Sequence, residues 1–181
     1  LSTSLDENLR MIFESIAYLK KYREEVLFDA EHFFDGYKNN PEYALKAVKE
    51  AESAGADWIV LCDTNGGTLP HEVSRIFSEV KKSLSVKMGI HAHNDSEVAV
   101  ANSLNAIQNG AEQVQGTING YGERCGNANL VSIIANLKLK LGIDCISDAR
   151  LKTLKEVSAL VDELANKSHW NQQPFVGKSA F

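Results

Sequence analysis

The sequence has few cysteines and no paired cysteine motif. Cys62, Cys125 and Cys145 are widely spaced, odd in number and never arranged as Cys-x-x-Cys. A disulfide framework and a thiolate zinc cage both depend on paired cysteines, so neither is supported. We therefore expect a protein of a reducing, cytoplasmic compartment.

Long apolar runs are also missing. No stretch approaches the ~18–20 apolar residues that a membrane-spanning helix requires. Residues 1–8 have neither the basic start nor the apolar core of a signal peptide. We therefore predict no membrane association. The first residue is not a methionine, so we expect the chain to start within a longer protein.

An excess of basic charge is absent as well. The 19 Lys and Arg are outnumbered by 24 Asp and Glu, which gives a formal net charge of −5. Binding to nucleic acid needs a clustered basic excess, so we predict no nucleic-acid partner. A length of 181 residues with 44% hydrophobic residues is typical of one globular domain with a real core.

Short apolar runs alternate with segments of helical periodicity along the chain. The runs predict strands over 26–31, 58–63, 86–91 and 113–118. The periodic segments predict helices over 5–21, 41–53, 70–83, 95–109, 128–141 and 148–167. This alternation with short connections is typical of βαβ units in a parallel sheet.

Polar residues follow the carboxyl end of every predicted strand. They are Glu31, Asp63-Thr64, His91 with His93, and Asn119 onward. This distribution is typical of TIM barrels, whereas the glycines at 120, 122 and 126 miss the spacing of a dinucleotide-binding loop. A complete barrel needs eight strands and ~250 residues. We therefore predict an α/β fold that is half of a TIM (β/α)8 barrel, with four parallel strands and flanking helices.

His91 and His93 form a His-x-His pair at the end of the third strand. Residues i and i+2 of a strand point to the same face, so the two imidazoles converge. A hydrogen-bonded pair on a solvated loop is the alternative interpretation. The strand-end position, and the polar Asn94-Asp95 that follows, favour a site for a divalent metal.

Three further side chains fit beside this pair. Glu31 can act as acid, base or orienting group, although a salt-bridging surface role is commoner for glutamate. The Thr64 hydroxyl can anchor a substrate carboxylate or simply belong to a strand-end turn. Asn127 offers an amide oxygen and so favours a mixed N/O site.

Cys125 has no partnering base, which argues against nucleophilic catalysis. The other histidines are expected to be structural or exposed: His32, His71 and His169.

Four segments together resemble a known family. They are Glu-His-Phe-Phe-Asp-Gly at 31–36, Leu-Cys-Asp-Thr-Asn-Gly-Gly-Thr-Leu-Pro at 61–70, His-Ala-His-Asn-Asp at 91–95 and Asn-Gly-Tyr-Gly-Glu-Arg-Cys-Gly-Asn at 119–127. Their order and spacing are similar to those of the isopropylmalate, homocitrate and citramalate synthases. Those enzymes belong to a wider group of metal-dependent TIM-barrel lyases and synthases. The first two segments look most like the citramalate-forming branch.

The resemblance implies a role for each candidate residue. His91 and His93 would be ligands of a divalent metal (Zn, Mn, Co or Mg), with Asn127 as a nearby third or outer ligand. Glu31 matches the glutamate that assists condensation. Thr64 matches the threonine that holds the carboxylate of the 2-oxo acid.

The resemblance also implies a domain arrangement. The family's first strand supplies an Arg-Asp pair that this sequence lacks, and residues 174–181 are similar to the stretch before the family's accessory domain. We therefore predict that residues 1–167 form the C-terminal half of a TIM-barrel catalytic domain. Residues 168–181 would begin a linker toward an accessory or regulatory region.

The implied activity is that of an acyltransferase. It would condense acetyl-CoA with pyruvate to give citramalate and CoA, a step of isoleucine biosynthesis. Synthesis of isopropylmalate or homocitrate, and cleavage by a related lyase or aldolase, are alternatives. An inactive half-barrel or assembly module is an alternative of another class. Four strands that do not close leave open sheet edges, so we also predict a homo-oligomer, a dimer.

Overall fold

A computed structural model describes residues 2–180 and shows strands alternating with helices along that range. The elements in chain order are α1 (Leu5–Leu19), β1 (Leu27–Ala30), α2 (Phe33–Asn39), α3 (Pro41–Ser53), β2 (Trp58–Asp63), α4 (Pro70–Lys81), β3 (Lys87–Ala92), α5 (Ala99–Gln108), β4 (Gln113–Gln115), α6 (Leu130–Leu139), α7 (Asp148–Lys152) and α8 (Leu154–Leu164). The outer ends of the two predicted domains, Leu1 and Phe181, lie outside the described residues.

The four strands form one parallel sheet in the order β1-β2-β3-β4. Each strand therefore pairs with the strand that precedes or follows it in the chain, and a helical connection joins them. Leu61 of β2, for example, lies between Ala30 of β1 and Ile90 of β3. Four sequential parallel strands with flanking helices are a partial (β/α)8 barrel, so the predicted fold is confirmed.

The two faces of the sheet differ in chemistry because side chains alternate along a strand. One face packs against the helices and belongs to the main hydrophobic core, with Ile59, Leu61, Met88 and Ile90. The opposite face, called the inner face below, carries Cys62, His91 and Gln115 in register, and Asp29 of β1 lies two positions earlier, paired with Val60. The inner face is the one that presents titratable and amide groups at the strand ends.

The sheet curves strongly toward its inner face. The Nε2 of Gln115 on β4 donates to Oδ1 of Asp29 on β1 at 3.0 Å, across the two intervening strands. Neighbouring strands lie about 4.8 Å apart, so a flat sheet would hold these two strands roughly 14 Å from each other. An Asp and a Gln side chain cannot span that gap. The contact therefore requires the curvature of a barrel wall.

Local capping explains where several helices begin. The Ser4 hydroxyl accepts from the N–H of Glu7 at the start of α1. Asn40 caps α3 through its Oδ1, and Pro41 follows in the first turn, where its missing N–H costs nothing. The Asn129 side chain likewise accepts from the N–H of Val131 at the start of α6. These caps satisfy donors that a helix leaves free at its first turn.

Several elements differ from the sequence predictions. Helix α2 was not predicted, because it has only seven residues and includes Gly36, a weak helix former. The helix predicted over 148–167 is broken at Thr153, whose hydroxyl donates to the Arg150 carbonyl instead of leaving it for the helix ladder. Strand β4 ends at Gln115, because the N–H of Thr117 already donates to the Ala128 carbonyl.

Residues beyond α8 pack against the barrel wall. Val176 is buried with Val131, Ala135 and Leu154 in a separate small core. The predicted domain boundary at residue 167 stays a prediction. Within residues 2–180, no helix has the length and apolar character needed to cross a membrane.

Candidate metal centre at the strand ends

The five predicted site residues lie in one connected cluster at the carboxyl ends of the strands. The Thr64 hydroxyl donates to Oε2 of Glu31 at 2.8 Å, and the Thr64 carbonyl lies 2.7 Å from Nδ1 of His93. The rings of His91 and His93 are 5.1 Å apart between centroids. The backbones of His93 and Asn127 form an isolated antiparallel bridge. The structure thus brings together residues that are far apart in sequence.

His91 is held by a side-chain amide. Its Nδ1 lies 2.9 Å from Oε1 of Gln115, on the neighbouring strand β4. An amide oxygen only accepts, so the imidazole must carry its proton on Nδ1. In the neutral imidazole Nε2 then has the free electron pair, which is the form that binds a metal.

His93 is held by a main-chain oxygen. Its Nδ1 is 2.7 Å from the Thr64 carbonyl, and Nη2 of Arg124 lies 2.7 Å from the same Nδ1. That guanidinium nitrogen has two protons, which are directed to the Thr64 carbonyl at 2.6 Å and to Asp95 at 3.0 Å. No proton remains for the imidazole. The Nδ1 of His93 is therefore itself a donor to Thr64, and in the neutral imidazole its Nε2 has the free electron pair.

Arg124 ties two loops of the site together. Its Nε donates to Oδ1 of Asp95 at 2.8 Å while Nη2 reaches Oδ2 of the same carboxylate. The Arg124 guanidinium lowers the pKa of the Asp95 carboxyl through these hydrogen bonds. Asp95 also packs directly on Gly66, which has a left-handed φ of 62° and where any Cβ would collide with the Asp95 backbone. The glycine permits the close approach of these loops.

Asn127, whose backbone pairs with that of His93, has an unpartnered side-chain oxygen. Its Nδ2 donates to the Tyr121 carbonyl at 3.1 Å, which fixes the orientation of the amide. Its Oδ1 is buried and, among the described residues, has no hydrogen-bond partner. A Cβ at Gly122 would overlap the Asn127 amide nitrogen, so that glycine makes room for the side chain. A buried amide oxygen without a partner is costly unless a ligand satisfies it.

These observations fit a divalent metal. Two imidazoles present unprotonated Nε2 atoms, and an amide oxygen nearby lacks a partner. Within residues 2–180 there is no group of three or more His, Cys, Asp or Glu side chains suited to holding a metal ion. A metal held by His91, His93 and Asn127 would have two nitrogen donors and one amide oxygen, and further oxygen ligands from outside this cluster would have to complete its shell.

Glu31 and Thr64 form the second part of the cluster. The Thr64 hydroxyl accepts from the His32 N–H at 2.7 Å and donates its single proton to Glu31. Glu31 is exposed on the inner side of the site. The carboxylate is thus held in place by a strand-end hydroxyl while it remains open to a ligand.

Asp63 and Cys62, at the end of β2, support the site without facing it as reactive groups. Asp63 is buried and accepts from both the hydroxyl and the N–H of Thr68. Burial raises the pKa of the Asp63 carboxyl. The pKa of the Cys62 thiol is also raised, by burial first and then by the nearby charges of Asp29 and Glu31. The Asp63–Thr68 hydrogen bonds hold the loop that follows β2.

A buried network lies on the far side of the glycine-rich loop. Asp162 of α8 accepts from Tyr121, from Asn119 and from Nδ1 of His169, each at 2.6 Å. Burial raises the pKa of the Asp162 carboxyl, but the three donors outweigh it, so the pKa is lowered overall. The bond to Asp162 raises the pKa of Tyr121 to about 12. Asn119 adopts a left-handed φ of 64°, which this network holds in place.

A cavity of about 280 Å³ is lined both by this network and by Asn127. Amide side chains dominate its walls: Asn94, Asn119, Asn127, Asn129 and Gln173. Cys125 lines it as well and is exposed. The cavity makes the Asn127 side of the site accessible to small polar molecules.

Sequence reasoning missed two residues of the site. Asp29 and Gln115 were not singled out, although each lies on the same strand face as a residue that was. His169, which was expected to be structural or exposed, is hydrogen-bonded to Asp162. A charged residue two positions before Glu31 was the signal that could have identified Asp29, because i and i+2 share a face.

The sequence profile of one family matches most of this chain. The HMGL-like profile covers residues 1–161. The chain belongs to the HMGL-like family.

Curated members of the HMGL-like family match the chain from end to end. (R)-Citramalate synthase from Aquifex aeolicus is 60% identical over 182 residues, covering 100% of this chain and 34% of that protein. The one from Geobacter sulfurreducens is 60% identical over 181 residues, with the same coverage. A 2-isopropylmalate synthase from Methanocaldococcus jannaschii is 36% identical over 181 residues, covering 100% of this chain and 34% of that protein. The chain spans about a third of the length of the curated relatives it matches.

Solved structures share the fold of this HMGL-like chain. HMG-CoA lyase from Bacillus subtilis superposes with a TM-score of 0.72 at 19% identity, over 94% of this chain and 59% of that chain. The carboxyl transferase domain of Rhizobium etli pyruvate carboxylase gives a TM-score of 0.69 at 18% identity, over 86% of this chain and 26% of that chain. At such identities the likeness concerns the fold alone.

Proposed function

We propose that the protein condenses acetyl-CoA with pyruvate to form citramalate, and that this chain supplies the C-terminal strand ends of its metal-dependent active site. The observation that carries the proposal is the pair of imidazoles hydrogen-bonded through Nδ1, together with the unpartnered oxygen of Asn127, whose backbone pairs with that of His93. The 60% identity to two (R)-citramalate synthases supports pyruvate as the 2-oxo acid.

In this proposal His91, His93 and Asn127 hold the metal. A divalent ion bound there would act as a Lewis acid toward the 2-oxo group of the substrate. The Nδ1 hydrogen bonds of both histidines would leave their Nε2 atoms free to bind it. The ion is zinc, manganese, cobalt or magnesium, since imidazole and amide oxygen suit each of them when oxygen ligands complete the shell.

In this proposal Glu31 is the base that accepts the proton removed from acetyl-CoA. Its carboxylate accepts a proton from the methyl group of acetyl-CoA, directly or through a water molecule. The carbanion carbon then bonds to the carbonyl carbon of pyruvate, whose oxygen takes up the electron pair of the broken π bond. Hydrolysis of the thioester releases CoA. Thr64 orients Glu31 until a substrate carboxylate competes for its hydroxyl proton.

The proposal predicts a clear order of substrates. Release of CoA from acetyl-CoA by the complete gene product should be fastest with pyruvate, and slower with 2-oxoisovalerate or 2-oxoglutarate. A thiol-reactive dye reports CoA directly, and chromatography of the product identifies citramalate. A preference for either of the other two acids would assign isopropylmalate or homocitrate synthesis instead. No CoA release with any of them would favour a lyase or an inactive module.

A further inference from the structure

Gln115 links a metal-ligand candidate to a carboxylate on a distant strand. Its Oε1 lies 2.9 Å from Nδ1 of His91, and its Nε2 lies 3.0 Å from Oδ1 of Asp29. Asp29 and Gln115 are 86 residues apart in the chain and lie on the first and last strands of the sheet. The oxygen and the nitrogen of one amide side chain therefore both make hydrogen bonds on the inner face.

The orientation of this amide follows from chemistry alone. A carboxylate has no proton to give, so the nitrogen of Gln115 must face Asp29. Its oxygen must then face His91, and an oxygen only accepts. The proton of the neutral imidazole is consequently held on Nδ1. Without Asp29, the amide could rotate by half a turn and present its nitrogen to His91, which would favour the opposite tautomer.

We infer that Asp29 and Gln115 are positioning residues that act together as a relay to fix His91 in the Nδ1–H tautomer. The relay rests on the proposed function for its purpose, because it leaves Nε2 of His91 free for a metal. Groups that orient metal-binding histidines in this way usually change metal affinity about 10–100-fold when they are replaced. His93 has no such dependence, because a main-chain carbonyl holds it.

The tautomer can be observed without any metal. Long-range proton–nitrogen correlation spectra of the metal-free complete gene product distinguish protonated Nδ1 from protonated Nε2, and the His91 signals are assigned by their loss in His91→Ala. We expect the Nδ1–H tautomer in the unsubstituted protein. Asp29→Asn, which is isosteric but can face the amide with either end, should give a mixture of tautomers. Gln115→Leu should abolish the Nδ1–H preference.

Metal affinity provides a second readout. Competition of zinc with a chromophoric chelator should show a loss of about 10–100-fold for Gln115→Leu and a smaller loss for Asp29→Asn. The double variant should have the same zinc affinity as Gln115→Leu alone, because the loss of Gln115 already interrupts the link between Asp29 and His91. Gln113→Leu, on the same strand and face but without a contact to His91, is the matched control and should retain full affinity.

The outcomes separate this inference from the proposed function. An Nε2–H tautomer in the unsubstituted protein, or a tautomer unchanged by Gln115→Leu, overturns the relay. Unchanged zinc affinity in Gln115→Leu overturns it as well. If the tautomer responds as expected but the unsubstituted protein binds no metal, the relay stands and the proposed metal-dependent activity is wrong.

Discussion

Arg124 donates two hydrogen bonds to the Asp95 carboxylate, from Nε at 2.8 Å and from Nη2 at 3.0 Å. These bonds join the loop after β3 to the glycine-rich loop after β4. The same Nη2 donates to the Thr64 carbonyl, which also holds His93. One guanidinium thus connects three strand ends. The fork geometry matters here, because a lysine offers a point charge and cannot make the paired contact.

We predict that Arg124→Lys weakens zinc binding by the complete gene product about tenfold or more, since the oxygen that orients His93 loses its fixed position. Chelator competition measures the affinity. Arg75→Lys, which alters an exposed pair with Glu79 on α4, is the control and should leave the affinity unchanged. An Arg124→Lys protein with unaltered affinity would show that this pair does not organise the site.

Thr64 has one hydroxyl proton, and in this structure it goes to Glu31. A substrate carboxylate that binds Thr64 must take this proton from Glu31. We therefore predict that Thr64→Val raises the KM for pyruvate roughly 10–100-fold, the usual cost of a hydrogen bond to a charged group. Thr64→Ser keeps the hydroxyl and should lie near the unsubstituted value. Steady-state kinetics at varied pyruvate make the comparison, and equal KM values for Val and Ser variants would exclude the role.

Asp162 should make stability depend on acid pH. Its pKa is lowered in the folded state, so its contribution is present above the unfolded value of about 4 and is lost as the pH falls through the folded value. Asp162→Ala leaves the donors of Tyr121, Asn119 and His169 unpaired and should cost about 1–3 kcal/mol at pH 7. Urea unfolding from pH 7 to pH 3 should show the difference between the two proteins shrinking. A difference that is constant or grows toward acid would contradict this account.

The three free cysteines differ in exposure. Cys62 is buried on β2 with a raised pKa, whereas Cys125 and Cys145 are exposed. Because a thiolate is the reactive form, we predict that iodoacetamide modifies Cys125 and Cys145 in the folded protein and reaches Cys62 only in denaturant. Peptide mass spectrometry locates the labels. Rapid labelling of Cys62 under native conditions would show that the inner face opens at the β2 end.

Much of the fold could be predicted because periodic patterns are local. Strand β2 and helix α3 occupy the predicted residues. The signals that predict them, a continuous apolar run and a proline in the first helical turn, both lie within the segments themselves. Helix α5 begins at Ala99 rather than near Asp95, because Asp95 is bound to Arg124 and Glu97 takes a left-handed φ of 57°. A contact with a loop some thirty residues later cannot be read from local sequence.

The sequence predicted the candidate ligands of the site but not their orientation. Alternation along β3 places His91 and His93 on one face, which needs only their spacing. Their tautomers depend on Gln115 and on the Thr64 carbonyl, which come from neighbouring strands. Asp29 joins this set only because the sheet curves. The identity of candidate ligands is therefore local information, while their orientation is set by the tertiary structure.

The metal content of the purified complete gene product tests the central claim most directly. Elemental analysis should find about one divalent metal per chain in the unsubstituted protein and in His71→Ala, an exposed histidine on α4 that serves as control. His91→Ala and His93→Ala should lose most of it while keeping the same far-ultraviolet circular dichroism. Equal metal content in all four proteins, or none in the unsubstituted protein after incubation with zinc, manganese, cobalt or magnesium, would contradict the account.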